Sequence, residues 1–105
     1  MSTVSTHVLD TALGRPAAGI AVTLATGANV IGSGSTDADG RYRDALVLAV
    51  GDYQLTFRVA EYFASTKRAS FYSDIVIRFR IATDGEHYHV PLLLSPFGYS
   101  TYRGT

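Results

Sequence analysis

The feature that most constrains this chain is a set of short segments in which apolar and polar residues alternate with period two, each closed by a turn signal. The clearest is Tyr53 to Val59, with Tyr53, Leu55, Phe57 and Val59 on one side and Gln54, Thr56 and Arg58 on the other. Ile75, Ile77, Phe79 and Ile81 alternate with Val76, Arg78 and Arg80 in the same way. Successive side chains leave a pleated backbone on opposite faces, so this period marks strands with one buried face. Further strands are predicted at Thr3 to Leu9, Ile20 to Ala25, Asn29 to Thr36, Arg41 to Leu46, His87 to Leu94 and Tyr99 to Tyr102. The glycines of Asn29 to Thr36 mark that strand as weak or at an edge. Gly14-Arg15-Pro16, Thr26-Gly27-Ala28, Asp37-Ala38-Asp39-Gly40, Gly51-Asp52 and Thr83-Asp84-Gly85 supply the breaks. The one helix expected is a single turn at Glu61 to Ser65. Many short strands with regular turns and almost no helical pattern predict an all-β sandwich or barrel.

With 105 residues the chain suits one domain, 1–105, able to bury a core without staples. Nine basic and nine acidic residues balance, which argues against a nucleic-acid or membrane-surface partner. There is no cysteine, so neither disulfides nor thiol chemistry enters. The start Met1-Ser2-Thr3-Val4-Ser5-Thr6 has no signal-peptide pattern, and no apolar run approaches the roughly 20 residues of a spanning helix. A soluble cytoplasmic protein is the expectation.

The segment from His87 to Thr105 holds two of the three histidines, three of the seven tyrosines and the terminal carboxylate. His87 and His89 project from one face, about 7 Å apart along the strand. Tyr88, Val90, Leu92 and Leu94 take the other, apolar face. On the first strand, Val4 and Val8 share a face while Ser5, His7 and Leu9 share the opposite one. Taken singly, His7, His87 and His89 read as solvated positions, and Arg41 as a turn-flanking arginine. A His-x-His pair with a third histidine is a zinc pattern, but no cysteine or nearby carboxylate completes it, so no metal is assigned. Ser5, His7 and Asp10 do not make a triad: Ser5 and His7 are about 7 Å apart on one strand, beyond hydrogen-bond reach. Asp37-Ala38-Asp39-Gly40 lacks the later ligands of a calcium loop. Gly32-Ser33-Gly34 is too short for a phosphate loop. Tyr102-Arg103-Gly104-Thr105 follows an apolar, aromatic stretch, which points to a docked tail.

Three separated motifs resemble one family. Ser5-Thr6-His7-Val8-Leu9-Asp10 with Gly14-Arg15-Pro16-Ala17 is similar to the N-terminal signature of the 5-hydroxyisourate hydrolases, the transthyretin-related enzymes of urate breakdown. Thr36-Asp37-Ala38-Asp39-Gly40-Arg41 resembles their central motif. The run from His87 to Gly104 resembles their C-terminal signature nearly throughout. The resemblance implies a transthyretin-like sandwich of two four-stranded sheets with one short helix after the fifth strand. It implies that one sheet runs fourth, first, seventh, eighth strand, setting Arg41, His7, His89 and the tail side by side. It implies a homotetramer, a dimer of dimers whose outer sheet faces line a channel with residues from two subunits.

The activity implied is hydrolytic opening of the lactam of 5-hydroxyisourate to 2-oxo-4-hydroxy-4-carboxy-5-ureidoimidazoline, with no metal or cofactor. The residues it carries over are His7, Arg41 and His89 as catalytic groups, with Tyr102, Arg103, Gly104 and Thr105 joining His7 and Arg41 in holding substrate. A histidine titrating near 6.5 suits proton transfer at neutral pH, and an arginine fork suits planar carbonyl groups. One departure stands out: the family's tail ends in serine after Tyr-Arg-Gly, whereas here Thr105 keeps the hydroxyl and adds a methyl. The alternative is a transthyretin-like carrier of small aromatic ligands. A structural β-sandwich module is a third reading, which predicts a monomer.

Overall fold

The computed structural model describes residues 1–105. In chain order the elements are β1 (Thr3–Asp10), β2 (Arg15–Pro16), β3 (Ala21–Thr26), β4 (Asn29–Ser35), β5 (Arg41–Arg43) and β6 (Gly51–Phe57). They continue with α1 (Val59–Ser65), β7 (Ile75–Ile81), β8 (His87–Ser95) and β9 (Gly98–Thr101). One sheet has the order β2-β1-β8-β9, with β5 also on β1; the other has the order β4-β3-β6-β7. β5 lies opposite Ser5 to His7 and β2 opposite Leu9 to Asp10, so the two share one edge of β1 in tandem and the sheet stays four strands wide. The sheets face each other as the alternation requires. Val4 and Val8 of β1, Leu55 and Phe57 of β6, Ile75 and Ile81 of β7, and Leu92 and Leu94 of β8 are all buried in one cluster. No helix is long and apolar enough to cross a membrane.

Three local features depart from the sequence reading. Arg15-Pro16, expected to be a breaker, forms the short strand β2. Proline is tolerated there because β2 is an edge strand whose missing N–H faces no partner. Val59 belongs to α1 rather than to the preceding strand, and it is still buried, so its apolar character carried no information about which element holds it. β5 stops at Arg43 because Asp44 turns inward, where its carboxylate accepts the Tyr42 hydroxyl at 2.5 Å and the Leu46 N–H at 2.9 Å. Burial and that carboxylate push the Tyr42 phenol well above its usual range.

Asp10, at the end of β1, is fully buried and gathers donors from four residues. Ala12 N–H and Leu13 N–H donate at 3.1 Å each, the Tyr62 hydroxyl at 2.8 Å, and the Arg68 guanidinium at 2.5 Å. Burial pushes the carboxyl up, but Arg68, Tyr62 and the Leu13 N–H together hold it below 3.8. The cluster ties the first sheet to α1, whose Tyr62 and Phe63 rings lie under the Arg68 guanidinium at 5.7 and 5.0 Å. Because the folded value lies below the unfolded one, this stabilisation is full above pH 3.8 and is lost as pH falls through the folded value. Replacing Asp10 by asparagine removes the charge from a buried pair, which typically costs about 3 kcal/mol. Urea unfolding of D10N should show a loss of that order; a midpoint equal to the parent's would mean that Asp10 is not an anchor of the fold.

Candidate active site

The outer face of the first sheet carries the polar residues of β1, β5 and β8. β1 pairs with β8 in parallel, with Thr3 opposite His87 and Ser5 opposite His89. It pairs with β5 antiparallel, with Ser5 opposite Arg43 and His7 opposite Arg41. Residues two apart share a face, so Thr3, Ser5 and His7 stand in a row between His87 and His89 on one side and Arg43 and Arg41 on the other. A cleft of about 340 Å³ opens here, with Ser5, Arg41, Arg43, His87, His89 and Thr105 among its walls.

Arg41 reaches this position through the turn before it. The Asp37 carboxylate accepts the Asp39 and Arg41 N–H groups, both at 2.9 Å, while Gly40 N–H donates to the Asp37 carbonyl at 2.9 Å. Gly40 has φ 74° and its carbonyl accepts the Val8 N–H at 2.8 Å. A Cβ at Gly40 would lie 2.5 Å from the Val8 carbonyl oxygen, so only glycine lets this turn close against β1 and start β5 in register. Thr36 holds the other end: its buried hydroxyl donates to the Ala17 carbonyl at 2.7 Å and accepts the Ile20 N–H at 2.9 Å.

His89 is half-buried and held on two sides. Its Nδ1 lies 2.8 Å from Ser5 Oγ, whose second neighbour is His87 Nε2 at 2.7 Å. His87 Nδ1 in turn lies 2.6 Å from Thr3 Oγ1. On the other side the tail crosses: Gly104 N–H donates to the His89 carbonyl at 2.9 Å, and a Cβ on Gly104 would stand 2.6 Å from His89 Cδ2. The imidazole's Nε2 bonds to no protein group. Burial lowers the His89 pKa below 6.5, helped by the positive fields of His87, His7 and Arg41. Burial and Arg43 lower that of His87.

Of the residues singled out in the sequence, Arg41, His89 and Thr105 line the cleft. His7 is half-buried on the same face, one step along β1 from Ser5 and directly across from Arg41. Gly104 packs on the His89 ring. Tyr102 and Arg103 turn to a second cavity, of about 360 Å³, which His89 also borders, between the β7 and β9 sides of the sandwich. There the Arg103 guanidinium stacks 4.3 Å over the Tyr88 ring and pairs with Glu86 at 3.4 Å. No three His, Cys, Asp or Glu side chains converge as a metal cluster would require. The sequence reading assigned no role to Ser5, Arg43 or His87. The signal was present in the i, i+2 spacing of Thr3, Ser5 and His7 and of His87 and His89, but the parallel register that joins the two rows has no local signature.

Comparison with known proteins bears on the family and the fold. The model of the HIUase/Transthyretin family matches residues 4–104. A 5-hydroxyisourate hydrolase of Salmonella dublin is 43% identical over 109 residues, covering 97% of this chain and 80% of that protein. The structure of Klebsiella pneumoniae 5-hydroxyisourate hydrolase superposes with a TM-score of 0.93 at 39% identity, covering 100% of both chains. Sea bream transthyretin, solved in complex with thyroxine, superposes with a TM-score of 0.91 at 27% identity, covering 97% of this chain and 94% of that one. With the sandwich, the motif residues and the full-length match in agreement, this chain belongs to the HIUase/transthyretin family.

Proposed function

We propose that this chain is a hydrolase that opens the lactam of 5-hydroxyisourate, giving 2-oxo-4-hydroxy-4-carboxy-5-ureidoimidazoline, with its own side chains as the catalytic groups. The observation that carries the reading is the register of one sheet face, which sets His7 across from Arg41 and Ser5 beside His89 in an open polar cleft. Lactam opening needs a base for water, charge stabilisation at the carbonyl oxygen, and a proton for the leaving nitrogen. His89 and His7 are the proton-transfer groups, and His89 is held neutral, as a base must be at pH 7. Arg41 offers a fixed fork to the substrate carbonyls and to the oxyanion that develops on them. Thr105 and Gly104 close the cleft beside His89. Tyr102 and Arg103 act from the second cavity, which supports a role in shaping the site from its far side.

The proposal includes a homotetramer, a dimer of dimers in the cytoplasm. β7 ends one sheet and β9 the other, and Val76, Phe97 and Tyr99 are exposed on or beside these two strands. Sedimentation tests the assembly directly. The similarity to a transthyretin solved with thyroxine favours a second reading, a ligand carrier. Two histidines and an arginine around one polar cleft favour hydrolysis.

The test is an ultraviolet assay in which 5-hydroxyisourate is made in place from urate by a urate oxidase and its loss is followed against spontaneous decay. Acceleration is expected. Replacing His89 or His7 by asparagine should lower kcat about 10²-fold or more, the usual worth of a positioned acid or base. Arg41→Ala should lower it by about 10²- to 10³-fold, as for other oxyanion donors. A variant with parental turnover would take its residue out of the mechanism.

Burial and neighbouring positive charge lower both His87 and His89 below 6.5 in the folded chain, so the neutral rings dominate at pH 7.5 and the charged rings grow in as pH falls. Turnover should therefore be highest on the neutral side and fall as pH drops through the folded values. Their contribution to folding follows the same sign: it is full above 6.5 and is lost as pH falls through the folded values. A turnover midpoint above pH 7 would assign the limb to a different group.

A further inference from the structure

The cleft contains an unbroken file of four side chains. Thr3 Oγ1, His87 Nδ1, His87 Nε2, Ser5 Oγ and His89 Nδ1 follow one another at 2.6, 2.7 and 2.8 Å. Every member can both give and take a proton, because a hydroxyl carries one O–H and two lone pairs and a neutral imidazole carries one N–H and one lone pair. With both rings neutral, two orderings run all the bonds the same way; a third arrangement, in which both rings donate to Ser5 and its own hydroxyl proton turns to the cleft, satisfies the contacts but passes no proton along the file. In the first ordering Thr3 donates to His87 Nδ1, His87 Nε2–H donates to Ser5, and Ser5 donates to His89 Nδ1. His89 then carries its proton on Nε2. In the second ordering His89 Nδ1–H donates to Ser5, Ser5 donates to His87 Nε2, and His87 Nδ1–H donates to Thr3. His89 Nε2 then presents a lone pair to the cleft.

We propose that Thr3, His87, Ser5 and His89 form a two-state proton relay, whose ordering decides whether His89 Nε2 acts as a base or as an acid. The catalytic part of this rests on the hydrolase reading, while the coupling of the four groups does not. In the second ordering Nε2 takes a proton from the attacking water: one O–H bond breaks and one N–H bond forms. The Nδ1 proton passes to Ser5, the Ser5 proton to His87 Nε2, the His87 Nδ1 proton to Thr3, and the Thr3 hydroxyl proton to solvent. The file now stands in the first ordering, with His89 neutral throughout. When the C–N bond breaks, Nε2–H goes to the leaving nitrogen, a proton enters at Thr3, and the file returns. Across the cycle the proton lost by water reaches the amine, and the exchange with solvent at Thr3 cancels.

The charged surroundings favour neutral rings. Arg41 and Arg43 line the cleft from β5 and His7 shares its face on β1, so an imidazolium at His89 or His87 meets positive charge there, with the chain end at Thr105 as the anionic group of the same cleft; Arg103 is paired with Glu86. The lowered values of both rings have that cause in addition to burial. Ser5 and His87 are positioning residues in this scheme, since of the four members of the file only His89 meets the reacting atoms.

The test uses the assembled protein with ¹⁵N-labelled histidine, read by NMR at pH 7.5, where ring-nitrogen shifts report the tautomer. His87→Ala does not alter any group bonded to His89, yet it should change the His89 tautomer ratio through Ser5. Ser5→Ala should do the same. Each variant should lower kcat about tenfold or more with KM within about twofold, and Ser5→Thr, which keeps the hydroxyl, should recover most of the loss. The proton inventory in mixed H₂O and D₂O should curve for the parent and become linear for Ser5→Ala. Parental His89 shifts in both alanine variants would overturn the relay, as would parental kcat with an unchanged inventory. If the parent fails to hydrolyse 5-hydroxyisourate while the His89 shifts still respond to His87→Ala, the coupling stands and the hydrolase reading falls.

Discussion

The parallel ladder between β1 and β8 is the interaction on which the site depends. It runs from Thr3 opposite His87 to Asp10 opposite Leu94 without a break. Slipping β1 along β8 by one residue would turn Ser5 and His7 into the core and Val4 and Val8 out to solvent while β8 kept Tyr88 and Leu92 inside, so the apolar faces of the two strands enforce the register. The same apolar pattern that builds the sandwich therefore fixes, on the opposite face, which hydroxyl meets which imidazole. Core packing and site geometry are two sides of one constraint. The buried cluster around Asp10 holds the far end of the ladder against α1.

Around that ladder the chain uses close backbone approach instead of bulky contacts. Gly40 lets the β5 turn lie against the Val8 carbonyl, and Gly104 lets the tail lie against the His89 ring. Gly32 and Gly34 serve the fold in a related way, since side chains there would collide with Asp44 and Tyr42. β4 is thus glycine-rich because a neighbouring turn occupies the space above it. Its place at the edge of the second sheet is where such a strand does least harm to pairing.

Strand positions and the outward aim of His7 and His89 were legible from period-two alternation alone, because each depends on which face of one strand is apolar; alternation left sandwich and barrel both open, and the two-sheet arrangement came from motif resemblance. Bounds were less so. Val59 is apolar in strand or helix alike, and Arg15-Pro16 is too short to show a period. The meeting of Arg41 with His7 and of His89 with the tail came from motif resemblance, since neither follows from spacing. The contacts that Ser5 makes with His87 and His89 stayed hidden. Ser5 was weighed only against residues on its own strand, where no partner is within reach, and its neighbours lie across a ladder that no local pattern announces.

The ladder also has a kinetic meaning. Ser5 and His89 are separated by 84 positions in the chain, so joining them closes a loop whose entropy cost is about 4 kcal/mol beyond the constant term for any loop. Contacts of such long range are expected to form after local pairings such as the β3-β4 hairpin have reduced the freedom of the intervening chain. Parallel pairing adds to the delay because no tight turn can nucleate it. The cleft is thus among the last features to assemble during folding. A half-folded chain presents no partial version of it, and the arrival of a working cleft reports that the whole sandwich has closed.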